Sequence, residues 1–167
     1  MSRNIFIAVI ILFLCSCARE EEKNDELYFF PFDQVTHYYL TENIGLVFDE
    51  ELQRQVLYDF TPTNLSDTSF ISSLKELGFH EYDIESDSLS KLREVFKTQN
   101  SRNISTYACA ATFRDILIFR AKDSISGMAK ICFQCEQHHI VGTSQSTFEF
   151  GQSGEYAVLE YLLYPDK

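Results

Sequence analysis

The chain has 167 residues, with 14 Lys and Arg against 25 Asp and Glu, so its formal net charge is −11. That length suits one domain with a real core. A surface so acidic argues against nucleic acid or anionic lipid headgroups as partners.

The first residues read as an address. Met1 to Asn4 carries Arg3, and Ile5 to Leu14 is an apolar run too short to span a bilayer as a stable helix. A basic start before a short apolar run is a secretory signal. It ends in Leu14-Cys15-Ser16-Cys17, which resembles the lipobox of bacterial lipoproteins. The resemblance implies cleavage before Cys17, a diacylglyceryl thioether on its sulfur and an acyl chain such as palmitate on its amine. Two or three acyl chains anchor a protein stably where one does not. Ala18 follows, so the inner-membrane-retention aspartate of some Gram-negative lipoproteins is absent. Arg19-Glu20-Glu21-Glu22 resembles the acidic export signal of Bacteroidetes surface lipoproteins. The expected plan is a signal peptide at 1–16, lipidated Cys17 with an acidic tether to residue 26, and a single domain over 27–167. The expected address is the outer membrane, with display at the cell surface as the acidic run implies. Loss of residues 1–16 removes Arg3 and takes the charge to −12, so lipid and not charge must hold the protein on its membrane.

Tyr28, Phe29, Phe30 and Phe32 around Pro31 are too apolar for a free tail and should cover an edge of the core. Gln34 to Leu40 alternates as a strand, with Val35, His37 and Tyr39 on one face. Ile44 to Phe48 and Gln53 to Phe60 are further strand candidates, the second stopped by Pro62. Ser66 or Asp67 can then cap a helix that carries Phe70, Ile71, Leu74 and Leu77 and ends at Gly78. Phe79 to Ile84 reads as a short strand or an extended link. Ser86-Asp87 opens a second helix, with Leu89, Leu92 and Phe96 on its buried side. Thr98 to Thr106 is a polar loop.

The best hairpin pattern follows. Ile116 to Phe119 is a short apolar strand, Ala121 to Gly127 has turn composition, and Met128 to Cys135 alternates. Such strands must be antiparallel neighbours. Thr147 to Phe150 could add a strand, and Glu155 to Leu163 reads as a closing helix. Strands clustered apart from helices predict an α+β fold: an antiparallel sheet with about three helices, mainly on one face.

Cys15 leaves with the signal and Cys17 is consumed by lipid, so Cys109, Cys132 and Cys135 remain. An oxidising envelope favours one disulfide and one free thiol. Cys132 and Cys135 lie on opposite faces of a straight strand and can bond only if the chain bends at Phe133-Gln134. A bond from Cys109 to either of them is at least as good. The competing arrangement is a zinc site built from Cys109, Cys132 and Cys135 with His138 or His139. A redox role would need a helix just beyond Cys132, and EQHHIVG is a poor helix start. Cys109, the RDILIF strand and the ICFQC return are similar to small lipoproteins of Bacteroidetes that carry an ICFxC segment; Ala111 stands where a proline is common in them. The resemblance implies no activity.

There is no GxSxG, no HExxH and no Gly-rich phosphate loop. Solvated faces account for the many acids, and His37 and His80 read as ordinary members of extended segments. The chain is therefore expected to be a non-catalytic binding module. It would need no cofactor, would be held to the membrane through Cys17, and would face a protein or another envelope component. The alternative is a metal-binding (zinc) or thiol-redox protein that uses the Cys109, Cys132 and Cys135 cluster.

Overall fold

The computed structural model describes residues 27–41, 50–98 and 108–165. The signal, Cys17, the tether and the strand expected over Ile44 to Phe48 lie outside the described residues, as does nearly all of the Thr98 to Thr106 loop.

Five strands form one antiparallel sheet: β1 (Gln34–Tyr39), β2 (His80–Asp83), β3 (Asp115–Ala121), β4 (Ser124–Cys132) and β5 (Gln137–Val141), in the order β2-β1-β3-β4-β5. Among the described residues three α-helices accompany it, α1 (Glu50–Leu57), α2 (Leu89–Val95) and α3 (Glu155–Leu163), with a 3-10 turn over Ser69–Ser73. This is the α+β fold that the pattern predicts.

Both faces of the sheet are covered, which is why β3 reads as an unbroken apolar run rather than an alternation. On one face Val35, Leu117, Phe119, Ala129 and Ile131 pack under α2 and α3. On the other Tyr38, Ile116, Ile118 and Met128 pack under α1 and the segment holding Leu74 and Leu77. Two of the three helices thus share a face, as expected. The YFFPF segment goes deeper than an edge. The Phe30 ring lies 4.6 Å from that of Phe119 on the central strand.

Several elements depart from the sequence reading. Gln53 to Phe60 is not a strand: its first half belongs to α1. Glu50 and Glu51 sit in that helix's first turn, where the dipole favours them. Arg54 closes back on Glu51 one turn away, and Val56 and Leu57 face the core. Phe70 to Leu77 forms a 3-10 turn and further turns instead of a regular helix, although Gly78 does end it in the left-handed region. The hairpin loop is only Lys122-Asp123, both at positive φ (50° and 66°), the backbone that matches strand twist in a two-residue turn. Residues 124–127 therefore belong to β4, with a bulge where the register slips between Phe119 and Arg120.

β4 stops at Cys132. A turn over 133–136, with Glu136 at φ 49°, sends the chain back as β5. That strand pairs Cys132 with Gln137 and Ile131 with His138, and the strand alternation expected through Cys135 ends at Cys132. Thr147 to Phe150 is a turn, held by the Phe150 amide on the Thr147 carbonyl (3.1 Å). It delivers Phe150 into the core beside Phe96.

Candidate functional site

The sequence singles out the cysteine cluster, and the structure divides it. Cys109 and Cys135 form a disulfide across 26 residues, with Cα atoms 5.8 Å apart. Cys132 is a buried free thiol, and it shares a small cluster with Ala111, Phe113 and Cys135. The chain does bend at Phe133-Gln134, but the sulfur of Cys135 is taken by Cys109.

The two histidines leave the cluster by opposite faces of β5, as neighbours on a strand must. His138 donates from Nε2 to the Thr147 carbonyl (2.8 Å) and accepts at Nδ1 from the Tyr156 hydroxyl (2.9 Å). Burial lowers its pKa, against the Thr147 bond. Burial pushes Tyr156 well up, so its hydroxyl remains a donor. His139 donates to the Pro62 carbonyl (2.7 Å) on the other side, and burial lowers its pKa too. Both rings are occupied in tying loops to the sheet edge. Among the described residues no group of three or more Cys, His, Asp or Glu is placed to hold a metal ion.

A second constellation, absent from the sequence pattern, lies where β1, β2 and β3 meet the end of α3. Asp115 opens β3 and is only 5% exposed, a correction to the view that solvated faces explain the acids. Register brings its neighbours together: Tyr39 pairs with Asp115 and His37 with Leu117. The Asp115 and His37 side chains therefore meet on a diagonal of one face. His37 Nε2 is 2.8 Å from Asp115 Oδ1. Tyr164, just past α3, donates its hydroxyl to the same oxygen at 2.5 Å. Tyr39 stacks on His37 at 5.4 Å, and Tyr82 and Tyr164 meet it edge-on.

The protons in this cluster can be placed. His37 is fully buried, and its Nδ1 has no hydrogen-bond partner. An imidazolium there would bury an unsatisfied N–H, whereas the Nε2–H tautomer buries only a lone pair. His37 is thus a neutral donor to Asp115. Tyr164 is pushed up by burial first and by the Asp115 charge second. Tyr82 is raised to about 12 by burial, then by Asp115. Both hydroxyls keep their protons. Asp115 is a carboxylate held by two neutral donors, both on Oδ1.

Beside it opens a cleft of about 680 Å³, lined by Asp115, Tyr39, Tyr164, Phe133, Arg114 and Cys132 among others. His37 is not on its wall. The arrangement can orient a fixed negative charge and aromatic faces toward a bound group. The imidazole does not reach that group itself and acts on it through Asp115.

One further buried charge is structural. Lys130, on the opposite face of β4, is fully buried. It donates to the carbonyls of Gln55 (2.9 Å), Asp59 (2.6 Å) and Thr61 (3.1 Å). Its ammonium also lies 4.9 Å from the Phe113 ring centre. Burial lowers its pKa to about 8.

Fold and site together define an α+β domain that carries the Cys109–Cys135 disulfide and a polar–aromatic cleft at the end of its sheet. No protein-family model, no curated protein and no solved structure matches this chain.

Proposed function

We propose that this chain is an exported lipoprotein of the bacterial envelope that acts as a non-catalytic binding module. Acyl chains on Cys17 anchor it in the outer membrane, and the cleft beside Asp115 receives its ligand or partner. One observation carries the binding half of this reading. A buried carboxylate is fixed by His37 and Tyr164 on the wall of a cleft of about 680 Å³, the concave, mixed polar and aromatic surface that ligand sites use. The address rests on the LCSC motif and the basic–apolar start. The Cys109–Cys135 disulfide suits an oxidising compartment. Among the described residues no helix is long and apolar enough to cross a membrane, so in this reading the lipid supplies the attachment.

Two measurements test it. The mass of the mature protein from a bacterial membrane fraction should correspond to cleavage before Cys17 plus acyl chains, and Cys17→Ala should move the protein out of that fraction. A photo-crosslinking residue at Gln134, on the cleft wall, should trap an envelope component. The same residue at exposed Ser90 should trap none. An uncut or unlipidated N-terminus removes the anchor, and equal trapping at both positions removes the cleft.

A second reading, thiol-redox or metal chemistry at Cys109, Cys132 and Cys135, is favoured by the burial of the Cys132 thiol in one cluster with Cys135. Alkylation and peptide mapping across a series of glutathione redox buffers would show a Cys132–Cys135 bond if the three sulfurs exchange. Bound zinc in the native mass would show a metal site.

A further inference from the structure

We propose that the Asp115 cleft binds a small organic cation: a protonated amine carried on an aromatic or apolar body. This rests on the reading of the cleft as a binding site and names the chemistry it selects. The argument begins from charge balance. Asp115 is 5% exposed, and a carboxylate out of water needs a cation or a full set of donors. Its donors are a neutral imidazole and a phenol, and both end on Oδ1. No Lys or Arg of the described chain forms an ion pair with it; Arg114 beside it is an exposed residue. On the opposite face the chain surrounds its buried Lys130 with three carbonyls. Asp115 is left without an equivalent, and it is the one that borders a cleft. A ligand ammonium at Oδ2 would supply the missing charge.

The rest of the wall suits the body of such a ligand. Tyr39, Tyr164 and Phe133 line the cleft and supply aromatic surface, which can attract a cation and cover apolar carbon. Tyr39 and Tyr164 are fixed against His37 and against each other, 6.0 Å apart and perpendicular. Little side-chain freedom is then lost on binding. The net charge of −11 draws cations toward the protein and repels anions.

The experiment is a residue-resolved NMR titration of the full chain in detergent micelles. Three probes share one ring: benzylamine (cation), benzyl alcohol (neutral) and benzoate (anion). Benzylamine is expected to shift the amides of Thr112, Asp115 and Gln134, with the alcohol and the acid at least about tenfold weaker. Asp115→Asn should bring benzylamine to the level of the alcohol. Thr112→Trp leaves the carboxylate in place and fills the cleft, so it should abolish binding of all three. Equal binding of the three probes, or an unchanged benzylamine titration in Asp115→Asn, overturns the cation inference and leaves the cleft standing. Binding that Thr112→Trp does not weaken, or no shift at these amides with any probe, overturns the cleft reading as well.

Discussion

Replacing Lys130 with Met keeps the length and apolar stem of the side chain and removes only its ammonium. In the native protein that group holds the carbonyls of Gln55, Asp59 and Thr61, so it pins the end of α1 and the following loop onto β4. A hydrogen bond to a charged group contributes roughly 1.5–3 kcal/mol, and three of them roughly 5–9 kcal/mol. Burial opposes this. The fall in pKa from 10.5 to about 8 is about 3 kcal/mol against the charged form. The balance predicts that Lys130→Met loses roughly 2–6 kcal/mol, read as a lower urea midpoint at unchanged m-value. Isosteric apolar replacement of a buried charge can instead be neutral or stabilising. A variant as stable as the parent would therefore refute the claim that the three carbonyls repay the desolvation.

The same residue fixes a pH dependence. Its folded-state pKa, about 8, lies below the unfolded value near 10.5. Between those limits the unfolded chain holds the extra proton, so this group makes stability rise with pH by up to about 3 kcal/mol. The tyrosines act the other way. Tyr82, raised to about 12, and Tyr156 and Tyr164, raised further, keep protons that the unfolded chain sheds near pH 10, so they lower stability above about pH 10. Subtracting the Lys130→Met curve cancels the tyrosines. The difference should grow from pH 8 to 10, and a flat difference would show that Lys130 is not buried as a charge.

Other perturbations test the packing and the cleft. Gly127→Ala should cost about 1–3 kcal/mol, because its new Cβ would stand 2.5 Å from the Phe30 ring; adding Phe30→Leu should return part of the loss in urea titration. Cys109→Ala with Cys135→Ala should cost about 3 kcal/mol, the chain-entropy value for a loop of this size, closed here across 26 residues. Dithiothreitol should then bring the parent to the variant's midpoint and leave the variant unmoved; a reductant-insensitive parent would count against the disulfide. Tyr164→Phe deletes the hydroxyl on Asp115 and should lower stability by roughly 1–3 kcal/mol, while the ring contact to His37 remains visible in the aromatic NMR spectrum.

Local pattern was legible where one physical requirement dominated. Glu155–Leu163 is helical as its spacing implies, and β1 keeps the faces its alternation assigns. α1 was misread because Arg54, Val56, Tyr58 and Phe60 alternate as a strand would. What decides the helix is the pair of acids before them and the Glu51–Arg54 contact one turn away. β5 escapes the pattern because ICFQC continues the parity of β4, although the chain turns from Phe133 and reverses at the left-handed Glu136. Of the expected site residues, Cys109 and Cys135 are joined and Cys132 packs beside them as a free thiol, while His138 and His139 serve separate neighbours. His37 and Asp115 stand 78 residues apart. Only the β1–β3 register makes them partners, and no spacing within the sequence encodes that register. A signal was nonetheless present: an Asp placed directly before an apolar strand buried on both faces has no solvent to face.

Two charges buried on opposite faces of one sheet show why burial alone does not mark a functional group. Lys130 and Asp115 are each almost wholly withdrawn from water. Lys130 has an acceptor for each of its three protons and an aromatic face beside it, so its charge is absorbed by the fold it secures. Asp115 has donors on one oxygen only, both of them neutral, and it opens onto a cleft. A fold optimised for stability alone would place an apolar side chain there, since His37 and Tyr164 could be replaced along with it at little cost. A buried carboxylate with its positioning imidazole and three ordered tyrosines costs desolvation that apolar packing would not. Departures of this kind from the most stable packing are the places to test for a bound group.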